Sequence, residues 1–72
     1  GKFRVEFTVE GLKDVTIRVS SLLGQEIYES KPGKVSGTYR EDIDLSNEAS
    51  AVYILQIITD DNVVSKRFTI RK

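Results

Sequence analysis

Apolar residues recur at every second position in six separate segments of this 72-residue chain, with turn-forming residues between them. That period belongs to extended strands, whose side chains alternate between two faces. Residues 2–9 set Phe3, Val5, Phe7 and Val9 on one side and Lys2, Arg4, Glu6 and Thr8 on the other. After Glu10-Gly11-Leu12-Lys13-Asp14, a group of turn residues, Val15, Ile17 and Val19 resume the alternation. Gly24 lies where two such runs meet and suits positive φ. A short strand over residues 26–30 ends at Lys31-Pro32-Gly33-Lys34, where Pro-Gly signals a turn. Tyr39, Glu41, Ile43 and Leu45 share one parity in the next strand, which places Ile43 and Leu45 in the core. Residues 46–50 read as a polar corner, too short for a helix of its own. Residues 51–58 are the most apolar run and read as the central strand. A hairpin connection at residues 59–62 then leads to a last strand over residues 63–70. Strands at this spacing, with a possible seventh near Val35, predict an all-β fold, a two-sheet antiparallel sandwich of about seven strands in one domain.

Composition restricts the chemistry such a domain can do. Eleven Lys and Arg balance eleven Asp and Glu, so the excess of positive charge usual in a nucleic-acid binder is missing. Cys, His, Met and Trp are all absent. Thiol nucleophiles, imidazole bases, disulfides and soft-metal sites go with them, and the expectation is a domain that is not an enzyme and uses no cofactor. Charge at 31% interrupts every apolar run before it could span a membrane as a helix. The strand pattern begins directly at Gly1, with no basic and apolar leader, and the chain is read as a piece of a longer precursor.

No motif for chemistry is complete. Asp42-Ile43-Asp44-Leu45-Ser46 opens like a calcium loop, but Asn47 stands where that loop needs Gly and Tyr53 where it needs a bidentate Glu. Asp60-Asp61-Asn62 reads as turn chemistry. Gly33-Lys34 lacks the remainder of a phosphate loop. Ser30-Lys31 and Ser65-Lys66 are strand neighbours pointing to opposite faces and cannot act as nucleophile and base. The clearest asymmetry is at residues 66–72, which hold four cations and no anion. On charge alone that is a solvated edge strand, since Lys and Arg discourage edge pairing.

The ordered set Gly1-Lys2-Phe3-Arg4-Val5, Val15-Thr16-Ile17-Arg18-Val19, Leu22-Leu23-Gly24-Gln25-Glu26-Ile27-Tyr28, Ile43-Asp44-Leu45, Val52-Tyr53-Ile54-Leu55-Gln56-Ile57 and Val64-Ser65-Lys66-Arg67-Phe68-Thr69-Ile70 resembles one family. It is the type A carboxyl-terminal sorting domain of the type IX (Por) secretion system of Bacteroidota. The resemblance implies an immunoglobulin-like antiparallel sandwich that addresses a periplasmic cargo protein to an outer-membrane translocon. It further implies removal by a sortase-like peptidase, with the cargo released or anchored at the cell surface. The family's terminal motif falls on Lys66, Arg67, Phe68, Ile70, Arg71 and Lys72, expected to be the recognition element. Its Leu-Gly-Gln-x-x-Tyr motif falls on Leu23, Gly24, Gln25 and Tyr28 and its Val-Tyr segment on Val52 and Tyr53, expected to be structural. Where the family usually has Gly before Val-Tyr, this chain has Ala51.

The implied partners are the translocon, the peptidase and an upstream cargo domain, with no nucleic acid. Exposed strand edges also allow a strand-exchange dimer. The competing reading is an immunoglobulin-like spacer or an adhesion or carbohydrate-binding module, since fold does not fix function. A hydrolase fragment or peptidase inhibitor would need a reactive loop or acid-base pair that the sequence does not offer.

Overall fold

The computed structural model describes residues 2–71, which form one antiparallel sheet of four strands. In chain order these are β1 (Lys2–Ser21), β2 (Glu26–Asp44), β3 (Ala51–Ile58) and β4 (Val63–Ile70). Their order across the sheet is β2-β1-β3-β4, so β2 and β4 are the edges. The fold is all-β as expected, and the last two strands fall where the period-two pattern puts them. The expected strand count and the division into two sheets do not hold.

Glycine explains the difference. The residues read as a turn at 10–14 lie within β1, and Pro32-Gly33 lies within β2. At the first bend Val9 pairs with Gly37 and Lys13 with Val35, leaving two extra residues on β1. Gly11 and Gly37, at φ 70° and 75°, flank this bend on the two strands. Both strands turn together there, so the ladder passes through the corner and two expected hairpin strands remain one bent strand. Pro32 has no N–H to give to a ladder. It sits in a second bulge on an edge strand, between the Val15–Gly33 and Ile17–Ser30 pairs, where none is required.

Residues 16–21 of β1 also pair with β3, whereas residues 2–15 pair only with β2. The bent sheet curls over its own inner face, bringing the Phe3 ring within 5.0 Å of Phe68 on β4 although β1 and β4 share no ladder. One core results. Val5, Val9 and Ile43 come from one half of the curled sheet and Val15, Ile17, Val19, Tyr53 and Ile70 from the other. On the outer face, Arg4 pairs with Asp42 and Arg40 with Glu6 at 2.8 Å each, both directly across the β1–β2 ladder. A one-residue slip would set like charges opposite or send valines outward, so these pairs hold register more than they add stability.

Residues 45–50 carry the chain from β2 to β3. Asp44 accepts hydrogen bonds from the Ser46 backbone N–H, at 2.9 Å, and from its hydroxyl. The Tyr53 ring is buried, and its hydroxyl donates to the Ala49 carbonyl at 2.8 Å, tying the corner to the start of β3. This back-bond has the form of the tyrosine corner of immunoglobulin-type domains. Ala51 sits in ordinary strand geometry, as no described residue other than glycine has positive φ.

Candidate functional site

β4 has β3 on one side and no strand on the other. Its pairing, Tyr53 with Phe68 and Ile54 with Arg67, divides the terminal motif between two faces. Phe68 and Ile70 turn inward, with Ile70 buried and Phe68 packed against Tyr53 at 6.1 Å and against Phe3. These two side chains anchor the strand from its inner face. Arg67 and Arg71 are exposed. Lys66 shares the inward parity but lies opposite Leu55 at the border of the core and is also exposed. Lys72 lies outside the described residues.

Ion pairing separates these cations from five of the others, while Lys2 and Lys34 also form no ion pair among the described residues. Arg4, Lys13, Arg18, Lys31 and Arg40 each form an ion pair. Lys66, Arg67 and Arg71 form none among the described residues, so the edge strand displays uncompensated positive charge in a chain of zero net charge.

The expected structural residues gather near one end of the sheet. Ser21, Tyr53 and Phe68 form one row across β1, β3 and β4. Beside Ser21 lies the turn that holds Leu23, Gly24 and Gln25. Gly24 N–H donates to the Ser21 carbonyl at 3.0 Å and Ser21 N–H to the Gln25 carbonyl at 2.8 Å, with Gly24 at φ 88°. This is a three-residue hairpin loop that ends in a left-handed residue. Leu23 is 97% exposed at its tip, so its side chain adds nothing to the core. Val52 lies half-buried on the outer face opposite Thr69.

Tyr28 belongs to a group that sequence reasoning did not find. The Glu41 carboxylate accepts hydrogen bonds from the Tyr28 hydroxyl, from Ser30 Oγ at 2.9 Å and from the Tyr39 hydroxyl at 2.7 Å. Tyr39 and Glu41 lie beyond the first bend from Tyr28 and Ser30, so the cluster fastens the two halves of β2 to each other. Partial burial pushes the Glu41 carboxyl up, but the three hydroxyl donors outweigh it and hold the group below its ordinary value. The bond to Glu41, with burial, pushes the Tyr39 phenol up to about 12. One signal was available: a carboxylate on the parity of Tyr39, Ile43 and Leu45.

The chain belongs to the family of secretion system C-terminal sorting domains, whose pattern matches residues 1–71. It is thus a type IX secretion sorting signal, a targeting family rather than a catalytic one. Membership implies attachment to a cargo, interaction with the type IX machinery, and export across the envelope to the outer membrane or surface. No curated protein and no solved structure matches the chain.

Proposed function

We propose that this domain is a non-catalytic carboxyl-terminal address, carried as one folding unit at the end of a longer precursor and read by the type IX outer-membrane translocon through β4. The observation that carries this reading is the free edge of β4 with three cations that form no ion pair among the described residues. An open edge supports β-augmentation, in which backbone hydrogen bonds supply affinity, and uncompensated charge orients the encounter. Lys66, Arg67, Arg71 and Lys72 supply the charge, and Phe68 and Ile70 keep the strand in place. The Gly24 turn, Tyr28, Val52 and Tyr53 maintain the display. The curled sheet and its tyrosine corner support an immunoglobulin-like arrangement of two facing layers. The cargo crosses the periplasm first, and a sortase-like peptidase then removes the address, releasing the cargo or joining it to the surface.

The test is a reporter with a periplasmic signal peptide and this chain at its carboxyl terminus, expressed in a type IX-competent strain and in a translocon-null strain. Export is expected in the competent strain alone and should be lost in the Lys66→Gln, Arg67→Gln, Arg71→Gln triple variant while its circular dichroism stays native. Unchanged export of that variant would overturn the role of β4. Retention of the folded, unsubstituted reporter in both strains would favour a spacer or adhesion module.

A further inference from the structure

The curl of the sheet leaves two unpaired backbones facing one another. Residues 2–10 of β1 and residues 66–71 border a cleft of about 1120 Å³. Its inner walls are apolar, with Phe3, Val5 and Phe7 on one side and Leu55, Ile57 and Phe68 on the other. The Phe3–Phe68 contact lies at one end, and the Lys13–Asp61 ion pair, 2.9 Å long, ties β1 to the β3–β4 loop at the other. At roughly 3.3 Å per residue the β1 border runs about 30 Å, a length suited to an extended chain rather than a compact ligand.

The charge on the rim is one-sided. Glu6 is held by Arg40, Asp61 by Lys13, and Arg4 by Asp42, while Glu10 lies near Lys13. Glu10 shares Lys13 with Asp61, and among the described cations that border the cleft Lys2, Lys66, Arg67 and Arg71 form no ion pair, so the excess charge is positive and lies mainly along β4. Parity turns this into a sequence requirement for an occupant. A strand added to β4 would direct every second side chain inward, over Phe3, Val5 and Phe7, and set the intervening ones outward, beside Arg67 and Arg71.

We propose that this cleft binds an extended partner segment of alternating apolar and acidic residues, which pairs with the free edge of β4 and buries its apolar side chains against β1. The inference rests on the reading of β4 as the recognised element and names the chemistry of what recognises it. A second copy of the chain is the wrong occupant, because two β4 strands paired antiparallel about their midpoints would put Lys66 beside Arg67, like charge against like.

The experiment uses the isotope-labelled chain and, as probe, an acetylated and amidated peptide alternating valine and glutamate over about nine residues, with a valine-lysine peptide as control. Amide shifts are expected along β4 and residues 2–10, with binding at least roughly tenfold tighter for the glutamate peptide. The difference should vanish in the Arg67→Glu, Arg71→Glu variant, whose native spectrum serves as the folding control. Equal binding of the two peptides, shifts confined to the outer edge of β2, no binding at millimolar peptide, or self-association of the unbound chain would each overturn the proposal. The same variant in the export reporter separates the two readings. Lost peptide binding with normal export leaves the cleft as a binding site and removes β4 from the address. Lost export in a chain that never binds the peptide removes the cleft and keeps the address.

Discussion

Tyr53 shows how one hydroxyl can hold the connection between β2 and β3. Tyr53 is 4% exposed and its oxygen reaches back four residues to the Ala49 carbonyl, so removing the oxygen loses the side-chain bond that ties the corner to the start of β3. Tyr53→Phe keeps the ring contact with Phe68 and should cost about 1 kcal/mol, read as a lower urea midpoint with unchanged slope. Tyr53→Ala, which also empties part of the core, should cost about 3 kcal/mol or more. Equal losses in the two variants would show that the hydroxyl contributes nothing and that the ring does all the anchoring.

For the strands, the sequence revealed period and composition well and continuity poorly. β3 and β4 were legible because each is a clean alternation bounded by polar turns, and the edge position of β4 was legible from its cations. β1 and β2 were not, because Glu10-Gly11-Leu12 and Lys31-Pro32-Gly33 have the same composition whether they reverse the chain or bulge a strand. Only the pairing of Val9 with Gly37, and of Lys13 with Val35, decides between those outcomes. The Glu41 cluster was hidden for the same reason. The extra residue at the Pro32 bulge shifts the inward parity of β2 from odd at Tyr39 and Glu41 to even at Tyr28 and Ser30. If the corner depends on left-handed glycine, Gly37→Ala should cost about 1–2 kcal/mol, although an added Cβ would meet no atom within 4 Å. A fully stable Gly37→Ala chain would mean that the bend does not need that conformation.

For the molecule as a whole, the distribution of ionisable groups predicts a stability plateau with two differently built shoulders. Glu29 is held below its ordinary value by Arg18, Asp42 by Arg4 and Asp61 by Lys13. Glu41 lies below its ordinary value because its hydroxyl donors outweigh burial. A carboxyl with a depressed folded pKa stabilises above its unfolded value, about 4, and loses that contribution as pH falls through the folded one. Tyr39 has the opposite sign. Its folded pKa of about 12 means a contribution present below about 10 and lost as pH rises through 12. Salt separates the contributions, because at 1 M the screening length falls to about 3 Å and the exposed Arg4–Asp42 and Lys13–Asp61 pairs weaken, while the hydroxyl bonds of Glu41 do not depend on long-range charge. Urea unfolding of Glu41→Gln in high salt should therefore show a loss of about 1 kcal/mol at neutral pH and a shallower decline on both sides, in acid because the depressed carboxyl is gone and in alkali because the Tyr39 phenol no longer titrates above its unfolded value. Matching pH profiles for variant and parent would mean that the two halves of β2 are held by apolar packing alone, and that the curl carrying β4 does not rely on this carboxylate.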